Sequence, residues 1–281
     1  GSTTFVNEVR DEETYPAFFQ EYTGSKVRNF GESGYIARQS LSYLNNLLIS
    51  ENFETSNLKH IVFFDGVNDV AHRCRSEIAG LGTGRETYIR NQLKSSQASN
   101  SEMFTFAKTF EQVIMFSRKV SDKFFTSQEE QSQRLIKHAY SCSQNEERAK
   151  FIAKSIVTTW IQASHVAKAR GIKFLAVLQP VSLLSNAINE SVDKDHPNNK
   201  ALKKQFEVVY PLILSYAEAA DLDFIDATGI LDECTNCYFD FCHVSPKGNR
   251  MIAQWFLNYT SLADPISGML EGALVEGRKK L

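Results

Sequence analysis

The sequence predicts an α/β domain wound around a parallel sheet. Short apolar runs at residues 26–30, 60–64, 172–178 and 223–225 are each bounded by polar residues or glycine, the pattern of buried parallel strands. Helical periodicities lie between them. Strands and helices alternate along the chain instead of clustering, which argues for a doubly wound sheet.

The elements follow in chain order. Tyr15-Pro16 opens a helix ahead of the 26–30 run. Residues 35–49 place Ile36, Leu41, Leu44, Leu47 and Leu48 on a helical face. The 60–64 run leads into Asp65-Gly66-Val67-Asn68-Asp69 at the carboxyl end of a strand, where open α/β sheets bind ligands. Residues 148–169 carry Ile152, Ile156, Trp160, Ala163 and Val166, and Gly171 supplies the stop. Another helix covers 199–220. The last, over 246–260, starts at Ser245-Pro246, an N-cap followed by proline at the first helical position.

One connection is too long. Roughly a hundred residues separate Asn68 from Ile172, where a crossover needs about a dozen or more. A helical insertion at about 71–147 accounts for the surplus. Within it Met103, Phe106, Phe110, Val113, Val120 and Phe124 recur at helical spacing. This stripe either packs the insertion onto the body or lines an apolar pocket.

The chain has 281 residues, 42% hydrophobic and 23% charged, with a net charge of -2. That composition is globular, and the charge recruits neither nucleic acid nor an anionic membrane. No apolar run reaches the roughly 18–20 residues of a membrane span. The five cysteines leave at least one thiol unpaired. Cys234-Thr-Asn-Cys237 reads as a disulfide, as half of a metal site, or as neither.

Four clusters hold residues able to do acyl-transfer chemistry. In Asp240-Phe241-Cys242-His243, the histidine lies on a loop just before the last helix. Asp240, three residues earlier, can fold back onto one ring nitrogen and fix the tautomer. Asn68 offers a side-chain amide to a developing oxyanion, and Gly34 in Asn29-Phe30-Gly31-Glu32-Ser33-Gly34 offers a backbone N–H. Ser2 in Gly1-Ser2-Thr3-Thr4-Phe5 offers the nucleophile, although a terminal Gly-Ser pair also matches a vector remnant.

Together these clusters resemble the SGNH hydrolases, the GDSL esterase/lipase family. Gly1-Ser2-Thr3-Thr4-Phe5 looks like the first block, Gly34 falls on the second-block glycine, and Asn68 on the third-block asparagine. Asp240 and His243 fall on the fifth block's Asp-x-x-His. The resemblance implies one flavodoxin-like domain over residues 1–281, a three-layer α/β/α sandwich with a central parallel sheet of about five strands. It implies Ser2 as nucleophile, His243 as base and Asp240 as its orienter, with an oxyanion hole from the Ser2 and Gly34 amides and the Asn68 side chain. Neither metal nor organic cofactor is expected.

The family's nucleophile follows the first strand of the sheet, so an upstream or replacement strand is expected beside Ser2. The expected function is a serine-dependent esterase acting on O-acylated carbohydrate or polysaccharide, in the cell envelope or secreted. Two alternatives stand beside it. One is an O-acyltransferase with the same triad; the other is a non-catalytic domain that binds glycan or protein.

Overall fold

The computed structural model describes residues 2–5, 8–50, 53, 55–76, 78, 82 and 139–258. Over these residues the chain is mixed α/β. A parallel sheet of three strands, β1 (His60–Asp65), β2 (Lys173–Leu178) and β3 (Phe224–Asp226), runs in the order β1-β2-β3. Register pairs His60 with Lys173 and Asp65 with Leu178, then Ala176 with Phe224. Each of these strands matches an apolar run of the sequence.

Among the described residues, seven α-helices accompany the sheet: α1 (Ser2–Phe5), α2 (Tyr15–Thr23), α3 (Ala37–Ile49), α4 (Val67–Arg73), α5 (Glu146–Lys168), α6 (Pro197–Ala219) and α7 (Pro246–Leu257). Their ends are set by local chemistry. Asn145 caps α5 by accepting the Arg148 N–H at 3.0 Å, and Ser245 caps α7 through the Gly248 N–H at 3.4 Å. The His196 ring takes the same role for α6, accepting from the Asn198 N–H at 3.3 Å.

Alternation along the strands divides the core between the two faces. On one face Phe64 meets Tyr15 of α2 and Phe256 of α7, with ring centroids 5.1 and 6.2 Å away. On the other, Phe63 packs on Phe174 at 5.2 Å. There Trp160 of α5, fully buried, stacks on Phe224 and donates from Nε1 to Asp65 Oδ2 at 3.4 Å.

Residues 26–30 correct one expectation: they form no strand. Lys26, Arg28, Asn29 and Phe30 are exposed. The Val27 N–H bonds to Gln20 Oε1 at 2.9 Å instead of a sheet neighbour. Lys26, Arg28 and Asn29 leave too little apolar surface for a strand buried on both faces. Phe30 turns outward onto Tyr43 and Phe53. Among the described residues, β1 therefore pairs on one side only, with β2.

The long connection leaves and returns through a stapled stem. Cys74 and Cys142 form a disulfide with Cα atoms 5.2 Å apart, and Arg75 bridges Tyr140 in antiparallel fashion. Arg148 of α5 donates to the carbonyls of Arg73, Arg75 and Ile78, satisfying groups at the α4 terminus. The Met103–Phe124 stripe lies outside the described residues.

Candidate active site

The loop between Tyr238 and Val244 closes as a tight hairpin, with those two residues bridged and the Phe239 N–H bonded to the His243 carbonyl at 2.8 Å. Asp240 sits at its turn. One oxygen, Oδ1, accepts from the N–H groups of Cys242 at 2.8 Å and His243 at 2.7 Å. This local turn is the habit of aspartate side chains. It aims the other oxygen, Oδ2, at His243 Nδ1, 2.7 Å away. Ser182, on the loop after β2, holds the hairpin from behind through the carbonyls of Asp240 and Phe241.

The far ring nitrogen reaches the other end of the chain. His243 Nε2 lies 2.9 Å from Ser2 Oγ. With Nδ1 donating to the carboxylate, Nε2 is left to accept the Ser2 hydroxyl proton. Ser2 is buried, only 7% exposed, at the start of α1.

Three bonds seat α1. Thr4 Oγ1 meets Tyr15 Oη at 3.2 Å, Asn29 Nδ2 donates to the Thr4 carbonyl at 2.8 Å, and Gln179 Nε2 donates to Thr3 Oγ1.

The site's electrostatics follow from this geometry. Burial works to raise the Asp240 carboxyl, but its bonds to the His243 ring and two backbone N–H groups outweigh it, and the pKa is lowered. The Asp240 bond raises the His243 pKa above its ordinary 6.5, against burial, and the charges of Asp240 and Glu8 add to the rise. Cys242, buried beside them, is held as a neutral thiol by desolvation and the neighbouring carboxylate.

Asn68 stands in the first turn of α4, just past the end of β1. Gly66 makes that turn possible. Its φ is 122°, and a Cβ there would lie 2.6 Å from Leu178 Cδ1. Asn68 Nδ2 donates to the Tyr35 carbonyl at 2.9 Å, which joins the asparagine to the chain immediately after Gly34. An amide nitrogen carries two donor hydrogens, so this bond uses one. Gly34 itself has φ 73°, in the left-handed region.

Ser2, Asp240 and His243 are thus brought together on the ring, and Gly34 and Asn68 through Tyr35. Gln179 ties the two groups to one another. Besides holding Thr3, its Oε1 accepts the Val67 N–H at 3.2 Å, and its own N–H bonds the Asp65 carbonyl at 3.0 Å. Sequence reasoning missed Gln179, Ser182 and Glu8. The signal for Gln179 was a polar residue closing the buried apolar run of β2.

Among the described residues, Asp240, Cys242 and His243 are close enough to share a metal ion. The carboxylate oxygens and both ring nitrogens already have protein partners. Cys234 and Cys237 are joined to each other, so the CxxC presents no pair of thiolates. Comparison with family models, with curated proteins and with solved structures returns no match. Among the described residues, no helix is long and apolar enough to cross a membrane.

Proposed function

We propose that this chain is a serine-dependent acyl-ester hydrolase working through an acyl-enzyme. The observation that carries the reading is the continuous relay from Ser2 Oγ through both nitrogens of His243 to Asp240, at 2.9 and 2.7 Å. Residues 241 positions apart in the chain meet there at hydrogen-bond distance.

In this mechanism Ser2 Oγ attacks the ester carbonyl carbon while His243 Nε2 takes its proton. Asp240 stays ionised and stabilises the imidazolium. The carbonyl oxygen becomes an oxyanion, received by the Ser2 and Gly34 amides and the Asn68 side chain. The tetrahedral adduct collapses as the imidazolium protonates the departing alcohol. Water then gives a proton to His243 as it attacks the acyl-serine, and the imidazolium returns that proton to Ser2 Oγ as the acid departs. No metal or organic cofactor enters the scheme.

The finer fold assignment belongs to the same proposal: an SGNH-type α/β/α sandwich of about five parallel strands. The proposed substrates are O-acylated carbohydrates. Two disulfides suit an oxidising compartment such as the cell envelope or the exterior.

A fluorophosphonate probe tests the core claim. Labelling of folded protein is expected at Ser2 and is expected to disappear in Ser2→Ala and His243→Ala. Labelling elsewhere, or none, overturns it.

A further inference from the structure

We propose that Glu8 is a second carboxylate serving the His243 imidazole, a positioning residue that sets how tightly the ring holds its proton. Its role in catalysis rests on the hydrolase reading; its effect on the ring does not.

Glu8 Oε1 lies 3.9 Å from His243 Nδ1, the same nitrogen that Asp240 Oδ2 holds at 2.7 Å. The longer separation is beyond a hydrogen bond but within ion-pair range. Glu8 therefore acts by charge, while Asp240 both bonds and orients the ring. The two carboxylates come from opposite ends of the chain. Asp240 shares a hairpin with its histidine, whereas Glu8 follows α1, the helix that presents Ser2. The segment that delivers the nucleophile thus also delivers a charge favouring the protonated base.

Among the described residues, few groups face the ring. Asp240 and the neutral thiol of Cys242 lie on its own loop, and Ser2 and Glu8 come from the first segment. Ser182, uncharged, backs the hairpin after β2. The His243 ring side chain is 18% exposed, so an added charge is felt through a partly dry environment. Glu8 is 39% exposed, which weakens its influence relative to Asp240 and makes it sensitive to salt. The raised proton affinity of His243, to which both carboxylates contribute, agrees with this arrangement.

Glu8 thereby sets the pH at which the ring becomes free to act as a base. Removing the Glu8 charge destabilises the imidazolium, so the ring is freed as a base at lower pH. The test is an NMR titration of the His243 ring in the unliganded protein, run on wild type, Glu8→Gln, Glu8→Ala and Glu8→Asp. Both neutral variants are expected to lower the midpoint by on the order of half a pH unit. Glu8→Asp, which keeps the charge but withdraws it by one methylene, should fall between them and wild type. In parallel, the pH dependence of fluorophosphonate labelling at Ser2 should shift downward by the same amount in Glu8→Gln.

An unmoved midpoint in both folded neutral variants overturns the proposal. A wild-type protein that titrates as described yet is never labelled overturns the hydrolase reading and leaves the Glu8 assignment standing.

Discussion

At His243, folding and proposed catalysis meet in one ring, and the signs of its couplings can be worked out. Its folded pKa is raised, so its contribution to stability is complete below the ordinary value of 6.5 and is lost as pH rises through the folded value. Asp240 is lowered, so its contribution is present above the ordinary 3.8 and is lost as pH falls through the folded value. The proposed mechanism uses the neutral ring as base. The acid limb of kcat/KM on a soluble ester is therefore expected above pH 6.5, read from a pH–rate profile.

Ser2→Ala and His243→Ala should each lower kcat by roughly 10⁴-fold or more, and Asp240→Asn by about 10⁴-fold through the wrong tautomer. Asn68→Ala should lower kcat by about 10²–10³-fold if its remaining amide hydrogen serves the oxyanion. The Asp240–His243 pair was legible in the sequence because a three-residue turn makes it local. Glu8 and Gln179 were not, because nothing in their spacing encodes a contact that forms only when distant segments close on one another.

Among the elements, α4 shows how closely the fold constrains the site. It is preceded by Gly66, where a side chain would strain the backbone and collide with Leu178. It then buries Asp69 and Arg73, each about 1% exposed, as an ion pair at 3.5 Å. Burial pushes the Asp69 carboxyl up to about 6, opposed by Arg73, while Asp69 Oδ2 also accepts the Ala37 N–H at 2.9 Å. Asp69→Ala strands a buried guanidinium and should cost about 3–5 kcal/mol, measured by chemical denaturation.

The longer helices were legible from their periodicity, with Gly171 and Ser245-Pro246 marking ends by acting on immediate neighbours, whereas α1 and α4 are too short to show a period and went unread. The 26–30 segment was misread for the opposite reason. Val27 and Phe30 gave it an apolar look, yet a strand also needs a partner edge, and Gln20 took the Val27 N–H first.

For the molecule as a whole, the Cys74–Cys142 disulfide at the base of the long connection closes a span of 68 residues. Loop-closure entropy for such a span is worth about 4 kcal/mol, within the 2–5 typical of native bridges. Replacing both cysteines by alanine should lower unfolding free energy by about that much, and an unchanged denaturation midpoint would exclude the bridge as a staple.

By itself the sequence determined the α/β alternation, the longer helices, the over-long connection and the residue types able to carry acyl transfer. Each depends on neighbours within a few positions. Which cysteines pair, which segment joins the sheet, and whether a hydroxyl at Ser2 meets a ring at His243 were decided only in three dimensions. Those outcomes turn on competition among distant partners for the same buried space and the same hydrogen bonds, and a linear pattern does not record who wins.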